Sequence, residues 1–138
     1  MTDEADTMTT HWAVLIGIDY YPKDRCLKGS VRDAETVKQY LEAGPIPVDT
    51  AILTATTLSD PSFSCPIEKP DSWPTHDNVI KSLKKVIMEA RQGDFVYIHY
   101  FGYGTRRSES AVDAHENSGN LAFVLFEDNE YGSSYLKG

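Results

Sequence analysis

Residues 94–104 read DFVYIHYFGYG, and this stretch decides the fold because it joins a β-strand to the turn that ends it. The β-branched and aromatic residues of segment 95–101 are typical of a strand. Strand alternation places His99 on the same face as the other odd-numbered residues of this segment. Two glycines end the strand, and Tyr103 stands between them.

Strands and helices alternate along the rest of the chain, so we expect a mostly parallel sheet covered by helices. The apolar runs predict strands over residues 13–18, 49–54, 95–101 and 121–126. Ser30 is placed to cap a first helix that ends at Gly44. Thr75 is placed to cap a second helix that stops at Gly93. Residues 133–137 read SSYLK, which indicates the cap and first turn of a third helix.

The length of the chain and the positions of its glycine- and proline-containing loops indicate a single domain. We expect it to cover residues 11–138, after a disordered segment at residues 1–10, and to contain a long proline-rich loop at residues 55–74. A chain of 138 residues buries roughly 68–70% of the surface that its unfolded form exposes. The domain is therefore large enough for a real core.

Charge excludes several classes of partner. The formal net charge is −8 at pH 7, whereas nucleic acids and anionic membranes are bound through clustered Lys and Arg. A basic peptide or protein suits this charge better. No apolar stretch approaches the ~20 residues that span a bilayer, and the N-terminus is acidic and polar rather than signal-like. We expect a cytoplasmic protein that binds neither nucleic acid nor membrane.

Three blocks of the sequence carry a resemblance to a known family. Residues 12–22 read WAVLIGIDYYP, residues 27–34 read LKGSVRDA and residues 93–100 read GDFVYIHY. In this order they resemble three segments of the caspase and metacaspase family of cysteine peptidases: the opening strand, the start of the first helix and the strand before the histidine. The sequence is most similar to that of fungal members. The resemblance implies a caspase-like three-layer α/β/α sandwich with a mostly parallel sheet, proteolysis, and a link to regulated cell death.

The resemblance also implies a degenerate active site. The family carries its catalytic histidine between two glycines, at the position that Tyr103 occupies here. The family's cysteine lies on a later strand, and this sequence stops before it, so we expect a C-terminally truncated domain. At pH 7 a phenol, with a reference pKa of about 10, is a poor base where an imidazole, at about 6.5, would serve. Tyr103 is therefore predicted to be non-functional in catalysis.

Other histidines and cysteines do not replace the missing groups. His99 lies about 13 Å along the strand from the position between the glycines, too far for a base that must come within about 3 Å, and we expect it in the core. His76 and His115 are expected on the surface. Cys26 and Cys65 are expected to be ordinary loop thiols, because two cysteines indicate neither a disulfide framework nor a zinc site.

Asp33 has two compatible interpretations. Metacaspases often carry a cysteine at the position of Ser30, and the resemblance implies that Ser30 and Asp33 contribute to an acidic pocket for a substrate Arg or Lys. Local chemistry requires only that the Asp33 carboxylate lie in the first turn of a helix, where the helix dipole favours it. Calcium is implied by the resemblance alone, since residues 127–130 (EDNE) lack a calcium-loop spacing, and we expect no metal site there.

Three hypotheses about function follow. The first is a catalytically incomplete pseudo-peptidase that acts as an interaction module for a peptide, a protein, a related caspase-like chain or a second copy of itself. The second is an active cysteine endopeptidase that cleaves after basic residues once the missing cysteine-bearing segment is supplied. The third is an unrelated ligand-binding α/β domain. A sheet that lacks its further strand is also predicted to associate through exposed edges.

Overall fold

Three parallel strands form the central sheet in a computed structural model of the protein, which describes residues 9–21, 25–57, 65–107, 120–127 and 133–137. The sheet has the order β2-β1-β3. The strands are β1 (His11–Ile18), β2 (Val48–Ala55) and β3 (Phe95–Phe101). Register places His11 opposite both Val48 and Phe95, so all three strands start level and their carboxyl ends share one edge.

Two helices cover opposite faces of this sheet. The helix α1 (Ser30–Glu42) approaches the face of β1 that carries Gly17, and the helix α2 (His76–Glu89) packs through Val79 and Val86 into the core on the other face. Both faces of β1 are therefore buried, as a continuous apolar run predicts. The expected α/β/α layering is confirmed. Within the described residues, neither this pair nor the short 3₁₀ turn at Pro70–Ser72 is long and apolar enough to cross a membrane.

A second, antiparallel sheet of order β4-β5-β6 follows β3. Its strands are β4 (Gly104–Arg107), β5 (Asn120–Phe126) and β6 (Ser133–Lys137). The helix expected at residues 133–137 was wrong, because this segment pairs with β5, where Leu136 lies opposite Phe123. A segment this short gains little from a lone helical turn, whereas a strand partner satisfies its backbone groups.

The two helices begin in different ways. Thr75 caps α2 as predicted, since its hydroxyl accepts a hydrogen bond from the Asn78 N–H at 3.2 Å. Ser30 does not cap α1, however, because it is the first helical residue and follows Gly29, which has φ 103°. The Ser30 N–H donates instead to the buried carboxylate of Asp19 at 2.8 Å. A side chain from the end of β1 thus satisfies the start of the helix.

Asp94 joins the amino ends of β1 and β3. Its carboxylate accepts hydrogen bonds from the Arg91 N–H (2.8 Å), the Trp12 indole N–H (2.9 Å) and the Thr10 N–H (3.0 Å). These bonds to the charged form, led by that from Arg91, lower the pKa of Asp94 to about 2. The residues before Thr9 and loop residues 58–64 lie outside the described part of the chain. The predictions of a disordered N-terminal segment and a long loop are therefore not tested at these residues.

Gly17 provides the first test of this packing. A Cβ at this position would lie 2.7 Å from the Ser30 carbonyl oxygen and 2.9 Å from the Ala34 Cβ. We expect Gly17→Ala to lower the free energy of unfolding by about 1–3 kcal/mol, because α1 must move away from β1. Gly44→Ala is the matched control, since its Cβ would meet an oxygen only at 3.5 Å. Equal urea midpoints for the two variants would contradict the close approach.

Asp94 provides the second test. A carboxyl whose pKa is lower in the folded state than its usual value of about 3.9 stabilises the fold when ionised, and that contribution is lost as the pH falls from about 4 towards 2. We expect Asp94→Asn to lower the melting temperature at pH 7, and the difference from the unmodified chain to shrink below pH 4. The exposed Asp71→Asn is the matched control. A difference that stays constant down to pH 2 would refute the assignment.

Candidate functional site

Tyr103 lies at the carboxyl edge of the parallel sheet, directly after β3. Tyr21 follows β1, the neighbouring strand, so the two tyrosines meet at this edge. In open α/β sheets this is the edge at which ligands bind. Tyr103, which the sequence pattern indicated, thus lies at the edge of the sheet where a ligand site is expected.

The backbone of Tyr103 is held on both sides. Its N–H donates to the Tyr21 hydroxyl at 2.9 Å. Its carbonyl oxygen accepts from the Val124 N–H at 3.0 Å and from the Tyr100 hydroxyl at 2.6 Å. Because Val124 belongs to β5, these bonds fix the end of β3 to both sheets.

The hydroxyls of Tyr21 and Tyr100 form a small network. They lie 3.1 Å apart, and each is within donating distance of the Val124 carbonyl oxygen, at 3.0 and 2.7 Å respectively. Each hydroxyl has a single proton, so the two protons are shared among more acceptors than they can serve at once. Burial raises the pKa of both phenols above the usual value. Both therefore remain neutral at physiological pH and neither is a general base.

The Tyr103 ring is packed between two other groups. It meets the Tyr21 ring edge to face, with centroids 4.6 Å apart. The guanidinium carbon of Arg25 lies 5.2 Å from its centroid, within the range of a cation–π interaction. The ring is half-buried. These contacts give Tyr103 a packing role at the position where the resemblance places a histidine.

Gly102 is required by the tyrosine hydroxyls. A Cβ at this position would lie 2.5 Å from the Tyr21 oxygen and 2.6 Å from the Tyr100 oxygen, far inside van der Waals contact. The glycine before Tyr103 therefore serves close packing. Its role here is to let the two phenols approach the backbone.

Ser30 and Asp33 are not brought together as a pocket. Ser30 is buried, and Asp33 is exposed one turn into α1. Neither lines a cleft of about 360 Å³ that lies at the carboxyl end of β1. The lining residues are Asp19, Cys26, Leu27, Lys28, Gly29 and Thr57. The carboxylate in this cleft belongs to Asp19, which sequence reasoning did not select.

Cys26 is tied to the backbone of Tyr21. Its thiol donates to the Tyr21 carbonyl oxygen at 3.1 Å and accepts from the Tyr21 N–H at 3.5 Å. The Cys26 and Cys65 side chains are exposed and unbridged. Within the described part of the chain, Cys26 makes no hydrogen bond to an imidazole, so the geometry gives it no base.

The remaining candidates lie apart from this cluster. His99 is half-buried rather than in the core, and its ring stacks on Phe101 at 6.3 Å, which confirms their predicted common face. His76 lies in the first turn of α2, while His115 is outside the described residues. No group of three metal-binding side chains occurs among the described residues, which include Glu127 but not the three residues after it.

The sequence itself indicates where Tyr21 and Tyr100 lie. Tyr21 comes three residues after the buried strand β1, and Tyr100 has the opposite strand parity to His99, so it faces the other side of the sheet. The alternation of side chains along β3 and the position of Tyr21 at the carboxyl edge together place the phenols of Tyr21 and Tyr100 near Tyr103. Their bonds to Val124 depend on how β5 pairs, which no local pattern encodes.

We expect Tyr21→Phe to lower the free energy of unfolding by about 1–3 kcal/mol, because it leaves the Tyr103 N–H without its acceptor. Tyr40→Phe is the matched control, since Tyr40 is 80% exposed. Urea denaturation measures both changes. Hydrogen exchange at the Tyr103 amide should also speed up in Tyr21→Phe alone, and unchanged exchange there would contradict the role of this hydroxyl.

Comparisons with known proteins bear on this arrangement. The family model described as "Metacaspase, peptidase C14 domain" matches residues 11–131. Metacaspase-2 of Trypanosoma brucei brucei is 28% identical over 94 residues, which are 68% of this chain and 25% of that protein. Metacaspase-1 of Ajellomyces capsulatus is 29% identical over 110 residues, covering 78% and 28% of the two chains. Metacaspase-1A of Aspergillus oryzae is 28% identical over 111 residues, covering 80% and 24%.

The matched region contains the whole parallel sheet, both helices and the Tyr103 segment. The chain spans about a quarter of the length of the curated relatives that it matches. The parallel sheet and the helices on its two faces are consistent with this family match. The chain belongs to the metacaspase family of caspase-like peptidase domains.

Proposed function

We propose that this domain is a pseudo-peptidase, a metacaspase-like domain that binds other polypeptides without cleaving them. The observation that carries the proposal is the packing and hydrogen bonding of Tyr103. Its ring is packed against Tyr21 and Arg25, and both of its backbone groups are hydrogen-bonded. A ring held in this way has a packing role, and a phenol is a poor substitute for an imidazole as general base.

The thiols support the same proposal. A cysteine peptidase needs a thiolate beside an imidazole, so that one group attacks the carbonyl and the other moves the proton. Cys26 binds the Tyr21 backbone instead, and Cys65 is an exposed residue of the segment before the 3₁₀ turn. Neither thiol has the partner that the reaction requires within the described residues.

A basic peptide or protein is the partner class that the charge supports. The net charge is −8, Asp33 is exposed at the carboxyl edge of the sheet, and the cleft there holds the Asp19 carboxylate. A related caspase-like chain is a second candidate, because the parallel sheet has open edges in its described part. The cytoplasmic location and the link to regulated cell death stay predictions.

An active endopeptidase is the alternative. Its support is that the curated relatives carry the name metacaspase and are about four times as long as the region matched here. A cysteine-bearing segment supplied from elsewhere would then complete the site, and cleavage after basic residues would follow from the family resemblance. Family membership removes the ground for the third hypothesis, an unrelated ligand-binding domain.

We expect the 138-residue chain to release no product from fluorogenic peptides with Arg, Lys or Asp before the reporter, with or without calcium. The physical reason is that a phenol is a poor base where an imidazole would serve, and no thiol has an imidazole partner in the described structure. Cys26→Ala is the control for trace activity. Turnover that disappears in this variant would overturn the proposal.

A gain-of-function experiment separates the requirement for a base from the requirement for a thiol. Tyr103→His is combined with Phe101→Ser, which matches the smaller neighbour that the family resemblance implies. This variant should remain inactive by itself, because an imidazole without a thiolate has nothing to activate. After a relative's cysteine-bearing segment is appended, the chain that keeps Tyr103 should stay at least ~100-fold less active than the chain with both changes. Folded concentrations are matched by titration with a thiol-reactive peptide. Equal activity of the two extended chains would favour the active endopeptidase.

A further inference from the structure

The two cysteines lie in the segments that follow β1 and β2, at the carboxyl edge of the parallel sheet. Cys26 follows β1 and lines the cleft of about 360 Å³ together with Thr57, which comes two residues after β2. Cys65 comes after β2 and before the 3₁₀ turn at Pro70–Ser72. Both side chains are exposed and unbridged. The 138 residues contain no third cysteine, so each thiol has one possible partner within them.

A clasp between Thr56 and Glu68 holds the segment that carries Cys65 against the end of β2. The Glu68 carboxylate accepts hydrogen bonds from the Thr56 N–H at 2.9 Å and from the Thr56 hydroxyl at 2.5 Å. The Glu68 carbonyl oxygen also accepts one from the indole N–H of the buried Trp73 at 2.8 Å. Glu68 is therefore fixed through both its side chain and its backbone, and Cys65 comes only three residues before it.

The clasp brings the two cysteines near each other. Thr56 binds Glu68, and the next residue, Thr57, shares a cleft with Cys26. The three residues from Cys65 to Glu68 span at most roughly 11 Å. Residues 65–67 belong to no helix or strand. A change of backbone conformation in this short segment is therefore enough to carry the Cys65 thiol to the cleft that Cys26 lines.

The thiol proton of Cys26 has a structural role. It is donated to the Tyr21 carbonyl oxygen at 3.1 Å, while the sulfur accepts from the Tyr21 N–H at 3.5 Å. A disulfide sulfur carries no hydrogen, so a bond at Cys26 removes the donor to this carbonyl. Tyr21 in turn provides the acceptor for the Tyr103 N–H. Oxidation at Cys26 thus acts on the residue that fixes the end of β3.

We propose that Cys26 and Cys65 form a reversible intramolecular disulfide under a peroxide oxidant, and that this bond loosens the attachment of Tyr103 to Tyr21. One thiol breaks the O–O bond of hydrogen peroxide, which gives a sulfenic acid and one water. The other thiol then displaces the sulfenic hydroxyl group as a second water, and the S–S bond forms. The two sulfur atoms together lose two electrons, which reduce the peroxide.

The chemistry of such a bond suits the predicted location. Disulfides in a reducing cytoplasm, which the sequence predicts for this chain, are usually transient and redox-sensing. Exposed disulfides are also the more labile ones. Because both thiols are exposed, the bond should form under peroxide and open again under a dithiol reductant. The bond takes no part in peptide cleavage, so it goes beyond the proposed function and does not depend on it.

Peroxide oxidation of the 138-residue chain at low protein concentration tests the pairing. We expect the intact mass to fall by two hydrogen atoms, and a non-reducing digest to contain the Cys26 peptide joined to the Cys65 peptide. Cys26→Ser and Cys65→Ser are the matched controls, because each keeps a small hydroxyl side chain and leaves one cysteine without a partner in the chain. Neither variant should show the mass loss.

The rate of disulfide formation tests whether the fold brings the thiols together. We expect the bond to form at least ~10-fold faster in the folded chain than in the same chain unfolded in urea, because the folded chain has already closed the loop between the cysteines. Glu68→Ala should slow the reaction, since the segment of Cys65 loses its clasp. Glu89→Ala is the matched control, because Glu89 is exposed at the end of α2. Circular dichroism checks that both variants are folded.

Hydrogen exchange at the Tyr103 amide measures the effect on the sheet edge. Exchange should be faster in the oxidised chain than in the reduced chain, and it should return to the slower rate after reduction. The Cys65→Ser variant, treated with peroxide in the same way and separated from any sulfenic acid product by its mass, should show the slower rate throughout.

Any one of four results would overturn the proposal. These are an oxidised chain in which Cys26 and Cys65 are not joined, equal rates in the folded and unfolded chains, equal rates in Glu68→Ala and Glu89→Ala, and Tyr103 exchange that oxidation leaves unchanged. The peptidase assays are run under reducing conditions and are therefore separate. Turnover by the reduced chain would refute the pseudo-peptidase alone, whereas failure of the disulfide would leave the pseudo-peptidase standing.

Discussion

The fold depends on the complete burial of β1. Both faces of this strand are removed from water, since the side chains from Trp12 to Ile18 are all at most 8% exposed. A strand in the middle of a sheet bonds to neighbours on both edges, and here a helix also covers each face. This constraint explains why α1 must approach as closely as Gly17 allows, and why the polar groups of Asp19 and Tyr21 appear only after the strand has ended.

The residues that follow β1 fix the structure at the carboxyl edge of the sheet. Asp19 fixes the start of α1, and Tyr21 fixes the end of β3 through the Tyr103 N–H. Both side chains follow β1 within a few residues. This edge of the sheet is thus built from one capping carboxylate and three phenol rings. Its polar groups are mostly bonded to one another or to the backbone, which favours rigidity over proton transfer.

Sequence patterns correctly predicted the elements that interactions between neighbouring residues determine. The strand at Phe95–Phe101 and the cap at Thr75 were predicted correctly, because an unbroken β-branched and aromatic run and a side chain next to its own helix carry the whole signal. Predictions failed where a distant segment supplied the partner. The acceptor for the Ser30 N–H comes from Asp19, eleven residues away, and residues 133–137 form a strand because β5 is beside them.

Gly102 has a consequence for how this sequence can diverge. The space that a side chain would need is filled by the oxygens of Tyr21 and Tyr100, and also by the Tyr100 ring carbon next to its oxygen, 2.8 Å from a Cβ at Gly102. Loss of the oxygens alone would not make room, so an alanine at this position requires a smaller residue than phenylalanine at position 100. The three sites therefore behave as one mutational unit, in which the glycine can change only after the aromatic residues have become smaller.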